Sequence, residues 1–90
     1  MAKTTITAAK QKPTKRDTDR LRDRIAANVR NHRQLKGLSQ ESLAQEADVS
    51  VSFVSMIERG NRDPSVGSID KLAYALDVDP AELCAVPEVA

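Results

Sequence analysis

The sequence predicts an all-α domain, a compact bundle of five short helices, and three observations carry that expectation. Aromatic residues are nearly absent: Phe53 and Tyr74 are the only two and there is no Trp, which argues against a packed β-sandwich and against an aromatic platform for stacking bases. Apolar residues recur at three- and four-residue spacing, the period of a helix with one buried face. Capping residues, Ser39, Ser50, Ser65 and Asp79, stand in front of each run after the first. With 90 residues the chain has room for a single core.

Residues 1–18 read as a flexible basic arm. Lys3, Lys10, Lys12, Lys15 and Arg16 are spread among Thr, Ala and Pro13, and no apolar stripe is sustained. The folded domain is expected over residues 19–86, with 87–90 as a carboxy-terminal tail. Leu21, Ile25, Val29, His32 and Leu35 mark the apolar stripe of a first helix of about four turns. Gly37 ends it, because glycine takes up the left-handed conformation just past a helix at little cost.

Ser39 caps the second helix, Glu41 lies near its positive end, and Leu43, Ala44 and Ala47 face inward. Asp48 follows at the turn, where Asp tolerates positive φ better than most residues. Ser50 caps a third helix over Val51 to Arg59, with Val54 and Ile57 inward, and Gly60 ends it. Asn61-Arg62-Asp63-Pro64 is a loop. Ser65 caps a fourth helix with Val66, Ile69, Leu72, Ala73 and Leu76 on one face. Asp79-Pro80-Ala81-Glu82 has the form of a capping box with Pro at the first helical position, and opens a short fifth helix through Leu83.

The net charge of +1 conceals an asymmetry. Residues 1–36 hold eleven Lys/Arg and three Asp/Glu, whereas residues 37–90 hold three and ten. A basic amino-terminal third suits a polyanion such as nucleic acid or an anionic membrane surface. The longest apolar run, Leu72 to Leu76, falls far short of the ~20 residues of a spanning helix and of the ~7–15 of a secretory signal. Cys84 and His32 are each the only one of their kind, so no intrachain disulfide and no metal-ligand spacing exist. A cytoplasmic setting without a cofactor is expected. His32 falls on the apolar face of the first helix as a partly buried structural residue, and Cys84 reads as a small hydrophobe. Paired carboxylates, a nucleophile with its base and a phosphate-binding loop are all missing, which argues against an enzyme.

Residues 40–59 have the form of a helix-turn-helix. Ala44 is small where the two helices must cross closely, Val49 plugs the turn into the core, and Val54 and Ile57 bury one face of the second helix. The other face is left for a DNA groove. The run Leu38 to Gly60, with its Ser-Gln opening, Leu-Ala pair and Glu-Arg-Gly end, resembles the Cro/phage-repressor-type (xenobiotic-response-element) helix-turn-helix family. The likeness continues through Asn61 to Ser65 and into Leu72 to Val78, covering roughly residues 24–83.

The resemblance implies a lambda-repressor-like fold and a homodimeric, sequence-specific transcriptional regulator on double-stranded DNA, a repressor or autoregulator of a pseudo-palindromic operator. It implies phosphate contacts from Gln40, Arg59, Asn61 and Arg62. It implies base or groove contacts from Val51, Ser52, Ser55 and Met56 on the third helix. It also implies an ion pair between Arg33 and Glu58. The dimer contact is expected on the carboxy-terminal helices, where Leu76, Val78, Leu83 and Val86 offer apolar surface. Residues 51–57 contain no Arg, Lys, Asn or Gln, the side chains that make paired hydrogen bonds to base edges. That motivates an alternative: an interaction module of the same fold, for example an antitoxin-like binder of a protein partner such as a toxin or a polymerase subunit. No membrane partner is expected.

Overall fold

The computed structural model describes residues 20–87. They form five α-helices: α1 (Leu21–Leu35), α2 (Gln40–Ala47), α3 (Val51–Glu58), α4 (Val66–Leu76) and α5 (Pro80–Cys84). The arm expected over residues 1–18 lies outside the described residues, as do residues 88–90.

Side-chain caps start four of the helices. Ser39 Oγ accepts from the Ser42 N–H at 3.0 Å, Ser50 Oγ from Phe53 at 3.0 Å and Ser65 Oγ from Ser68 at 3.1 Å. Asp79 Oδ1 accepts from Ala81 at 2.8 Å, with Pro80 in the first turn. Each such cap is worth about 1 kcal/mol. Glu82 does not close the expected capping box; its carboxylate lies 4.0 Å from His32 Nε2 on α1. Four positive-φ residues stop the chain from continuing as helix: Gly37, Asp48, Gly60 and Asp77.

The core is aliphatic. Ile25 and Val29 of α1, Leu43 of α2, Val54 and Ile57 of α3, Leu72 and Leu76 of α4 and Leu83 of α5 meet in its interior. α1 packs on α3 and α5, α2 on α3 and α4, and α4 on α5. Three expected core residues stay outside: Leu21 is 52% exposed, Leu35 83% and Val66 85%. α1 has 15 residues, whereas α3 has eight and α5 five. At about 1.5 Å per residue its end turns outrun the helices that pack on it. Val66 is the first residue of α4, one turn before Ile69, where that helix first packs on the core.

The expected dimer surface also changes. Leu76 and Leu83 are fully enclosed within the core of one chain, so they offer nothing to a second copy. Val78 packs partly against the same core, and of the four only Val86 is well exposed. Asn28 is the other feature that periodicity does not reveal. It is buried on α1, and its Nδ2 donates to the carbonyls of Leu83 at 2.9 Å and Ala85 at 2.8 Å. A five-residue helix ends with unpaired carbonyls, and Asn28 satisfies two at that end.

Candidate nucleic-acid interface

α2, the turn Asp48-Val49-Ser50 and α3 make the helix-turn-helix. The turn works because Asp48 adopts φ 59°, which lets the Val49 N–H return to the Ala44 carbonyl at 3.0 Å and close the end of α2. Ala44 is buried where α2 and α3 pack, and Val49 lies partly buried against the core. Ser50 then caps α3 directly, so the two helices are joined without slack.

α3 buries Val54, Ile57 and Glu58. Val51 and Ser52 are exposed, and Ser55 and Met56 half-buried. By helical projection these four share the side away from Val54 and Ile57. The structure thus brings the expected groove residues onto one outward surface.

Beneath that surface a polar network fixes the far end of α3. Arg33 Nε donates to Glu58 Oε2 at 2.6 Å, and Arg33 Nη2 donates to Glu58 Oε1 at 3.0 Å. Arg33 Nη1 donates to the Leu38 carbonyl at 2.8 Å. The hydrogen bonding to the Glu58 carboxylate holds the Arg33 guanidinium above its ordinary pKa; burial opposes this and the Glu58 charge adds to it. Arg30 Nη1 donates to the Glu58 backbone carbonyl at 2.9 Å, supplying a cation and a donor at the negative end of α3.

Gln40 lies half-buried in the first turn of α2, and its Nε2 donates to Glu58 Oε1 at 3.0 Å. Its side chain bridges the buried pair and the helix start where a phosphate is expected. Arg59, Asn61 and Arg62 are exposed on the segment after α3. Arg62 does not share the setting of the other two: its guanidinium lies over the Phe53 ring, 5.2 Å from the centroid. Asp63 of the same loop pairs with Arg22 of α1 at 3.6 Å.

Sequence reasoning missed Arg30, Asn28 and the Phe53–Arg62 contact. Arg30 had a signal, since it stands three residues before Arg33 and so shares its side of α1. Asn28 had a weaker one, a polar residue inside the Ile25–Val29 stripe. Among the described residues no group of His, Cys, Asp and Glu could hold a metal, and no helix is long and apolar enough to cross a membrane.

Residues 29–83 match the family model described as Helix-turn-helix, which is more than half the chain. The chain belongs to the helix-turn-helix family. Its type is the Cro/phage-repressor one indicated by Leu38 to Gly60. This helix-turn-helix protein is 45% identical over 60 residues to the uncharacterized HTH-type transcriptional regulator YazB of Bacillus subtilis, covering 67% of this chain and 86% of that one. It is 40% identical over 67 residues to the control protein C.BamHI of Bacillus amyloliquefaciens, covering 73% and 83%. Among solved structures it resembles the restriction-modification controller protein C.AhdI of Aeromonas hydrophila, with a TM-score of 0.65, 45% identity and coverage of 67% and 91%. It also resembles the hypothetical transcription factor NHTF of Neisseria, with a TM-score of 0.76, 35% identity and coverage of 86% and 90%. The helix-turn-helix protein is therefore a transcriptional regulator and not an enzyme.

Proposed function

We propose that this regulator binds a pseudo-palindromic operator as a homodimer, with α3 in the major groove, and acts in the cytoplasm as a repressor or autoregulator. The observation that carries the reading is the division of α3. Its inner face and far end are fixed by the core, Arg30 and Arg33, while Val51, Ser52, Ser55 and Met56 face outward. Gln40, Arg59 and Asn61 hold the DNA backbone, and Lys and Arg of residues 1–18 add phosphate contacts. Similarity to a restriction–modification controller and to a control protein supports a regulator of this kind. The two copies meet through the carboxy-terminal helices, where Val66 and Tyr74 of α4 and Val86 just after α5 are exposed large hydrophobic residues, and place their α3 helices about 34 Å apart.

Hydroxyl groups both donate and accept, so Ser52 and Ser55 discriminate bases softly. Methyl contacts, water and DNA deformability carry much of the remainder. The test is selection of bound sequences from genomic fragments, followed by affinity for the selected site and for random DNA. Ser52→Ala and Ser55→Ala each weaken the selected site more than random DNA, by about 1 kcal/mol. Gln40→Ala weakens both alike, because phosphates carry no sequence. Ultracentrifugation showing a monomer both free and on the selected site refutes the dimer. The lack of Arg, Lys, Asn and Gln in residues 51–57 favours a second reading, a protein-interaction module. Salt-sensitive binding without any preferred site would select it.

A further inference from the structure

We propose that Arg62 reads a guanine, and that Phe53 is the positioning residue that holds it in place; the inference rests on the operator-binding reading above. Sequence alone groups Arg62 with the phosphate contacts of its loop. The structure gives it another setting. Its guanidinium lies 5.2 Å from the centroid of the Phe53 ring, and Phe53 is the third residue of α3. Phe53 is half-buried and packs against the core on its inner side, while Arg62 is exposed. The loop after α3 therefore folds back and sets a cation beside the first turn of the helix.

That turn is where helix-turn-helix proteins touch base edges. Arg59, by contrast, caps the opposite end of α3. Residues 51–57 supply no Arg, Lys, Asn or Gln, so α3 itself has no side chain for a paired hydrogen bond. Arg62 is the cation held against its leading end. Its fork of donors matches O6 and N7 of guanine in the major groove. A ring beneath the guanidinium lies within the ~6 Å range of a cation–π contact. Such stacking orients the plane of the fork and leaves its edge N–H groups free to donate.

The residues on either side of Arg62 also have partners. The Asn61 N–H donates to the Met56 carbonyl at 3.0 Å and Asp63 pairs with Arg22 at 3.6 Å. A phosphate clamp does not require this arrangement, since an exposed arginine reaches a phosphate from many directions. Direct reading of a base needs a fixed plane.

The experiment uses the full chain and the site selected from genomic fragments, with each base pair varied in turn in competition binding. Arg62→Ala is expected to lose discrimination at one G·C pair per half-site, by roughly 5- to 150-fold, the range of one bidentate contact. Affinity for random DNA changes much less. Phe53→Leu keeps an apolar side chain on the core and is expected to lose part of the same discrimination. Phe53→Tyr keeps the ring and the discrimination. In the Arg62→Ala background, Phe53→Leu adds no further loss at that pair.

Because Arg62 is exposed, its Ala variant keeps the fold, and it decides the base contact whatever Phe53→Leu does to stability. The inference is overturned if Arg62→Ala weakens selected and random DNA alike while the slope of log affinity against log salt shrinks by about 0.9, the signature of a phosphate contact. It is overturned in its Phe53 part if folded Phe53→Leu discriminates at wild-type level. A wild-type protein that selects no site overturns the operator-binding reading itself, a result that differs from both.

Discussion

Replacing Arg33 with Met takes away the two nitrogen donors that reach the Glu58 carboxylate from α1. The side chains are only 14% and 4% exposed, so water cannot replace those donors. Stranding one partner of a buried pair costs about 3–5 kcal/mol. Gln40 Nε2 still donates to Oε1, which retains about 1 kcal/mol. The Leu38 carbonyl loses its bond from Arg33 Nη1, which removes a similar amount. These two adjustments cancel, so the expected loss is about 3–5 kcal/mol, or roughly 12–40 °C in Tm for a domain of this size. Denaturant unfolding followed by circular dichroism measures it. The double variant Arg33→Met with Glu58→Met replaces both charges with apolar side chains and should return to within about 1 kcal/mol of wild type. The raised pKa of Arg33 fixes the sign of the pH dependence. Its contribution is complete below the ordinary guanidinium value and is lost only as pH climbs through the higher folded one, so the deficit of the single variant stays constant across neutral pH. A loss below about 1 kcal/mol, the size of an exposed pair, would show that the network is not buried in solution.

Asn28→Ala leaves the Leu83 and Ala85 carbonyls without their donor and should cost about 2 kcal/mol, with faster amide exchange in α5 as the local readout. Gly60→Ala and Gly37→Ala both force a side chain to φ above 70°, at about 1–2 kcal/mol each. Gly60→Ala should be the worse, because its Cβ meets Asp23 Oδ1 at 3.1 Å while that of Gly37 meets nothing within 4 Å; thermal melts showing the reverse order contradict this. Deleting residues 1–16 should reduce the salt slope of DNA binding by about 0.9 for each phosphate that the arm neutralises, and an unchanged slope means that it neutralises none.

The helices were legible because their signals are local. A serine three residues before the N–H that it accepts, or a glycine at a positive-φ stop, needs no knowledge of the rest of the chain. Burial was less legible. Leu35 and Val66 satisfy the helical period as well as Val29 does, but period says which side a residue is on and not whether another helix reaches it. Leu76 and Leu83 looked spare because the sequence does not reveal how little other material α4 and α5 have to pack with. In the candidate interface, the outward positions of α3 follow from its inward ones. The supporting contacts, Arg30 on the Glu58 carbonyl, Gln40 on its carboxylate and Arg62 over Phe53, join residues separated by loops whose path sets the distance, and no spacing rule encodes that path.

The Asn28 clamp bears on the order in which the chain assembles. It joins residues 55 and 57 positions apart, so the loop it closes spans nearly the whole described fold. Closing that loop costs more chain entropy than docking α2 on α3, which are joined by three residues. The clamp is thus the kind of contact that forms on the native side of the folding barrier. Asn28→Ala would then leave the refolding limb of a chevron plot nearly unchanged and raise the unfolding limb. A regulator stabilised in this way is controlled in lifetime more than in speed of assembly: the amide sets how long the folded domain persists once it has formed.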